Sequence, residues 1–214
     1  MNSKIVVVIP ALNEEETIGR VIDSLKDYVS EVVLVNDAST DKTAVIAREH
    51  GAIVVTNTKN LGYDKSIETG FRHALEHGAG IIVTFDADGQ HLANNIPVMI
   101  DPILKGEADL VVGKRPYHAR ISEYLFAFVA KLKAGIDDPL CGLKAYRSDI
   151  YRKVGHFDCR SSIGTELMFT AHRRGYRIVQ RPIHLNRRKD VPRFGRSLMA
   201  NYKIMKAIVK TLPL

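Results

Sequence analysis

Ile81-Ile82-Val83-Thr84-Phe85 runs without a break into Asp86-Ala87-Asp88-Gly89-Gln90. The first half is a short, mostly β-branched apolar run, the composition of a strand buried on both faces of a parallel sheet. The second half puts two carboxylates where that strand would end. The pattern recurs towards the N-terminus. Ile5 to Ile9 reads as a strand ended by Pro10, Val32 to Val35 as a second and Ala52 to Val55 as a third. Helical spacing fills the intervals. Asn13 reads as an N-cap, with Glu14, Glu15 and Glu16 in a first turn where acids suit the helix dipole. Ile18, Val21, Ile22 and Leu25 then give the apolar stripe. A second helix starts at about Asp41, and a third passes through Ile67, Phe71, Ala74 and Leu75 after the loop Asn60-Leu61-Gly62.

Strands alternating with helices of this length predict right-handed βαβ units, hence an α/β fold: one αβα sandwich around a mostly parallel, Rossmann-like sheet. Ligands of such sheets bind beyond the carboxyl ends of the strands. The polar clusters fall there: Ala11 to Glu14, Asp37 to Thr40 and Asp86 to Gln90. The second half is less regular. Leu110 to Gly113 reads as a strand, and Ile121, Tyr124, Leu125, Phe128 and Leu132 as a helical stripe. Asp137 to Gly142 reads as a loop, Gly164 to Arg174 as a helix and Arg177 to Gln180 as a strand. A basic stretch, Arg187 to Arg196, precedes a last helix.

The 214 residues suit one domain with a full-sized core, and 45% apolar against 26% charged residues excludes disorder. Cys141 and Cys159 read as reduced thiols of a cytosolic protein. No apolar run approaches bilayer-spanning length, and Met1-Asn2-Ser3-Lys4 leads directly into a strand without a signal-peptide pattern. The net charge of +7 suits anionic partners without choosing among them.

Alternation along an extended chain points Asp86 and Asp88 the same way. Two such oxygens, completed by water and substrate phosphates, suit Mg²⁺ or Mn²⁺; Gly89 permits close backbone approach and Gln90 adds a further oxygen. An isolated Asp-x-Asp is a common acidic turn; the other acidic strand ends move this one towards function. Glu14 and Asp37 offer acceptors for ribose hydroxyls or a base edge, while the residues around them also suit helix caps.

Val8-Ile9-Pro10-Ala11-Leu12-Asn13-Glu14-Glu15, Val35-Asn36-Asp37-Ala38-Ser39-Thr40-Asp41, Asn60-Leu61-Gly62 and Phe85-Asp86-Ala87-Asp88-Gly89-Gln90-His91 together resemble family 2 glycosyltransferases, nearest the polyprenol (dolichyl) phosphate mannosyl- and glucosyltransferases. The resemblance implies a GT-A fold and inverting transfer from a nucleotide diphosphate sugar. It assigns Pro10, Ala11, Asn13, Glu14 and Asp37 to the donor nucleoside, with Asp86 and Ala87 beside it, and Asp88 and Gln90 to the metal. It also implies a nucleotide-sugar and metal half at about 1–113 and an acceptor half at about 114–214. Val111-Val112-Gly113-Lys114-Arg115 and Asp138-Pro139-Leu140-Cys141-Gly142-Leu143 are similar to acceptor-side segments, with Lys114 and Leu143 departing from the usual serine and phenylalanine. After Gly62 the family's Lys-Gly-Ala gives way to Tyr63-Asp64-Lys65.

A polyprenyl phosphate acceptor is already anionic, so it needs phosphate-holding cations rather than a base. Arg115, Arg188, Arg193 and Arg196 are the candidates. A hydroxyl acceptor would need a general base, for which Glu166 is the candidate, although an acid opening a helix has a simple dipole explanation. In the last helix Leu198, Tyr202, Met205, Val209 and Leu212 line one side with Lys203, Lys206 and Lys210 opposite. That pattern fits either core packing or an interfacial helix, the latter placing the chain peripherally on the cytoplasmic membrane face. His73 and His77 share zinc-compatible spacing but lack a third ligand. A nucleotidyltransferase would be expected to carry a glycine-rich loop after the first strand. A nucleic-acid-binding domain would interleave basic residues with aromatics, whereas the clusters at these strand ends are acidic.

Overall fold

A computed structural model describes residues 3–117, 120–186 and 197–211, with backbone only for 197–200. The chain runs β1 (Ile5–Ala11), α1 (Ile18–Leu25), β2 (Glu31–Asn36), α2 (Thr43–Glu49), β3 (Ile53–Thr56), α3 (Tyr63–Glu76) and β4 (Ile81–Thr84). It continues through α4 (Ile96–Leu104), β5 (Leu110–Lys114), α5 (Ile121–Ala134), β6 (Lys144–Arg147), α6 (Ser148–Val154), α7 (Glu166–Arg173), β7 (Ile178–Pro182) and α8 (Ser197–Thr211).

The seven strands form one sheet in the order β3-β2-β1-β4-β6-β5-β7. All neighbours are parallel except β6, which runs antiparallel between β4 and β5. Period-two alternation feeds both faces, as expected of a central strand. Val7 and Ile9 of β1 join Ile18, Ile22, Leu34 and Ile96 in one buried layer. Val6 and Val8 join Ile67, Phe71, Phe126 and Ile204 in the other. The expected α/β sheet is therefore present.

Several local expectations are corrected. Pro10 does not end β1: the chain stays extended to Ala11, pairing Pro10 with Val35 and Ala11 with Asn36. Asn13 is not a helix cap. It adopts a left-handed conformation (φ 53°), one that asparagine tolerates better than most residues. The acids Glu14, Glu15 and Glu16 consequently lie in a turn ahead of α1, whose first turn holds no acid. The helix expected from about Asp41 is present as α2 from Thr43, with Asp41 Oδ1 accepting from the Thr43 amide (2.9 Å). β6, α4 and α6 were not foreseen. On α8 the buried side is Ile204, Ala207 and Ile208, whereas Tyr202, Met205 and Val209 of the expected stripe are exposed. Leu212 and the Leu198 side chain lie outside the described residues.

Candidate active site

The carboxyl ends of β1 and β4, the start of β6 and the segment after β5 surround a cavity of about 540 Å³. That volume is within the range of small-ligand pockets. Asp86, Ala87, Asp88 and Gln90 line it beyond β4; Pro10, Asn13 and Glu14 line it beyond β1. Arg115, Arg120, Glu123 and Lys144 line it as well. Carboxylates and cations share the lining, with Lys144 and Arg115 near enough to act on the Asp86 charge.

The left-handed turn at Asn13 knits the loops after β1 and β2 together. The Asn13 amide donates to Ser39 Oγ (3.0 Å), and Asn13 Oδ1 accepts from the Thr40 amide (2.9 Å). The Glu14 amide donates to Thr43 Oγ1 (2.7 Å), and its carboxylate accepts from Thr17 Oγ1 (3.2 Å). Asp37, by contrast, is buried behind this wall and does not line the cavity. Its oxygens accept from Asn57 Nδ2 (2.9 Å) and the amides of Leu61 and Gly62 (both 2.8 Å). Strand-end position therefore leads Asp37 to organise the Asn60-Leu61-Gly62 loop. Ala11 is also buried beneath the surface.

Asp86 Oδ2 sits 3.0 Å from His91 Nε2, and the His91 ring packs on the edge of Phe85. Burial pushes the Asp86 carboxyl up, but the hydrogen bond and charge of His91, with Lys144 and Arg115, hold it below the usual carboxylate range. Gly142 abuts the same carboxylate: a Cβ there would lie 2.3 Å from Asp86 Oδ2. The backbone at Gly142 is itself held, because Thr84 Oγ1 donates to its carbonyl at 2.6 Å. Asp88 Oδ1 accepts from the Gln90 amide (3.0 Å), a turn that fixes both residues at the cavity.

Arg115 forms a fork with Asp138, with Nε to Oδ2 and Nη2 to Oδ1 both at 2.8 Å, and also donates to Glu123 (3.1 Å). Glu123 accepts from Arg120 as well (3.1 Å). Two nearly inaccessible carboxylates thus hold two guanidinium groups in place, and Arg115 remains cationic because Asp138 outweighs the burial that opposes its charge. Of the expected phosphate-holding arginines only Arg115 can be placed; Arg188, Arg193 and Arg196 lie outside the described residues. Arg120, Glu123, Lys144 and Tyr63, all lining the cavity, were not anticipated.

Glu166 opens α7, as expected, yet does not line the cavity. Its Oε2 accepts from the amides of Cys159 (2.7 Å) and Arg160 (2.9 Å), and Oε1 faces His156 and Arg160 at 3.3 Å. Cys141 and Cys159 are both free thiols, and burial pushes that of Cys141 up to about 12. His73 and His77 stack on α3, and among the described residues no three His, Cys, Asp or Glu side chains converge as metal ligands.

A Rossmann-like sheet interrupted by one antiparallel strand, with an acidic cavity beyond its central strands, defines an α/β fold of GT-A type. Residues 6–124 match the family model described as Glycosyl transferase family 2, and this chain belongs to that family. It is 30% identical to an uncharacterized protein of Methanocaldococcus jannaschii over 217 residues, covering 94% of this chain and 89% of that one. It is 28% identical over 229 residues to the undecaprenyl-phosphate mannosyltransferase of Micrococcus luteus, covering 96% of this chain and 91% of the relative. Among solved structures, glucosyl-3-phosphoglycerate synthase from Mycobacterium tuberculosis, in complex with Mg²⁺ and uridine diphosphate, superposes with a TM-score of 0.76. There the identity is 22%, over 98% of this chain and 79% of that one. The protein is a glycosyltransferase.

Proposed function

We propose that this glycosyltransferase moves a hexose, with inversion, from a UDP- or GDP-sugar to a polyprenyl phosphate at a membrane surface. One observation carries the reading: a single cavity is lined both by the carboxylates of Asp86 and Asp88 with the Gln90 amide and by the braced arginines Arg115 and Arg120. The name of the Micrococcus luteus relative, an undecaprenyl-phosphate mannosyltransferase, supports the acceptor class. Pro10, Asn13 and Glu14 would contact the nucleoside, with Asp86 beside it. Asp37 and Ala11 would act from behind, by shaping the wall.

The donor set fits a hard divalent ion. Asp88 supplies a carboxylate and Gln90 an amide oxygen at the cavity wall. So few protein ligands suit Mg²⁺ or Mn²⁺ arriving with a diphosphate, whose oxygens and water complete the shell. Bound there, the ion would neutralise charge developing on the departing diphosphate. The protein's own part is to orient the donor and hold an anionic nucleophile in line. Arg115, locked on Asp138 and Glu123, is poised for the second task, and residues 114–214 then serve mainly as the acceptor half.

The engaged state of Glu166 favours an acceptor that needs no general base. Glu166→Gln is expected to leave transfer to polyprenyl phosphate within a few fold of wild type, measured as initial rates. A loss of several orders of magnitude would restore the hydroxyl-acceptor alternative. Donor binding is tested by thermal shift. UDP or GDP with Mn²⁺, at about a hundred times Kd, is expected to raise Tm by roughly 5–10 °C. No metal-dependent shift with either nucleotide would remove the reading.

A further inference from the structure

The outward sides of α5 and α8 are apolar where a solvated helix carries polar residues. On α5, Ile121, Tyr124, Leu125, Phe128 and Leu132 share one side at helical spacing and all are exposed, Ile121 by 87% and Leu132 by 72%. Phe126, Ala127 and Ala130 fill the buried side. α8 repeats the arrangement, with Tyr202 and Val209 each 63% exposed and Ile204, Ala207 and Ile208 in the core. The helices lie side by side and parallel. Ser122 Oγ donates to Asn201 Oδ1 near their starts (2.5 Å), and Lys133 Nζ donates to the Thr211 carbonyl at their ends (2.7 Å). Both cover the same face of the sheet, so their exposed sides form one continuous surface.

Among the described residues the exposed charged side chains of these two helices are all lysines, Lys131 being paired with Asp137 just beyond α5 (3.2 Å). Lys203, Lys206 and Lys210 run along α8 beside its exposed apolar side chains, and Lys131 lies near the end of α5. The one acid in either helix, Glu123, is buried between Arg115 and Arg120. We propose that α5 and α8 form the face by which the protein docks on an anionic lipid bilayer, apolar side chains entering the acyl boundary and lysines lying at the phosphate level. A two-fold pairing of copies through this face would bring two lysine-bearing patches together. Among the described residues no helix is long and apolar enough to cross a membrane, so the helices would lie along the surface. Ile204, on the buried side of α8, and the Arg115–Arg120–Glu123 group at the start of α5 line the cavity, so the cavity reaches the two helices that carry the docking face. Delivery of a lipid phosphate from the bilayer to those arginines rests on the acceptor proposed above; the docking does not.

The test uses the full chain and vesicles without any polyprenyl lipid, in sedimentation with phosphatidylcholine alone and mixed with phosphatidylglycerol. The wild type is expected to pellet with the mixed vesicles, less so with the neutral ones and less at high salt. Phe128→Asp combined with Val209→Asp should weaken binding at least ~10-fold while the melting temperature and the nucleotide–Mn²⁺ shift stay unchanged. Lys206→Gln with Lys210→Gln should lower the preference for anionic vesicles by roughly fivefold per lysine. Vesicle binding without any nucleotide shift would sustain the docking and remove the donor reading. A nucleotide-binding wild type that ignores mixed vesicles would overturn the docking. So would a dimer, seen by light scattering, that the aspartate variant splits while vesicle binding persists.

Discussion

Asp88→Asn is expected to lower kcat/KM for sugar transfer by about 10²–10⁴-fold, several kcal/mol of transition-state stabilisation. Asparagine retains the shape and the acceptor that the Gln90 amide uses (3.0 Å) but loses the charge that would attract a divalent ion. The thermal shift with UDP or GDP should then lose its dependence on Mn²⁺, while the melting temperature without ligand stays close to wild type. A titration of initial rate against Mn²⁺ separates the outcomes. Full activity at saturating Mn²⁺ would show that Asp88 only tunes affinity, whereas unchanged metal dependence at all concentrations would place the metal elsewhere.

The second large effect comes from a residue with no reactive group. Gly142→Ala would set a Cβ 2.3 Å and 2.7 Å from the two Asp86 carboxylate oxygens. Neither side can yield easily. The Gly142 carbonyl is held by Thr84, and Asp86 is held by His91. Displacement of Asp86 by around an ångström is expected to cost roughly 10²-fold in kcat/KM, the scale at which misplacement hurts an oriented site. The melting temperature should fall by roughly 2–12 °C without loss of cooperative melting, because overpacking at one half-exposed carboxylate costs about 1–3 kcal/mol. Kinetics and thermal melting on the same preparation distinguish a displaced site from a damaged fold. Wild-type kcat/KM in this variant would show that the position of Asp86 is not critical.

The parallel part of the sheet was legible because burial on both faces forces continuous apolar runs, and Ile5 to Ile9 or Ile81 to Phe85 admit few other readings. β6 was hidden for the opposite reason. It is four residues long, begins with Lys144 and ends with Arg147, and its partners are distant in sequence. α4 carries Pro97 in its first turn and Pro102 inside it, which masks a short buried helix. In the site, Pro10, Asn13, Glu14, Asp86, Ala87, Asp88, Gln90 and Arg115 do meet at one cavity. Asp37 and Glu166 resemble them in residue type and local position. What separates them is burial: an enclosed carboxylate takes nearby backbone amides, and no local pattern announces which amides will be near. Glu123 lies between the stripe positions Ile121 and Tyr124, and nothing local shows that Arg115 and Arg120 both bond to it.

The antiparallel strand also orders events in time. β1 and β2 pair across 25 residues (Val6 with Glu31), whereas β4 joins β1 across 76 (Ile5 with Ile81). Gly142 reaches Asp86 only when β6 slots beside β4, a pairing that joins Thr84 to Lys144 across 60 residues. Long closures of this kind are slow steps in folding. On a ribosome the donor-side strands emerge first, with the Asp86 edge of the sheet still unpaired until the chain beyond residue 147 is free. The pocket thus matures last, and a nascent chain holds the acidic strand end before it holds the walls that give it a substrate.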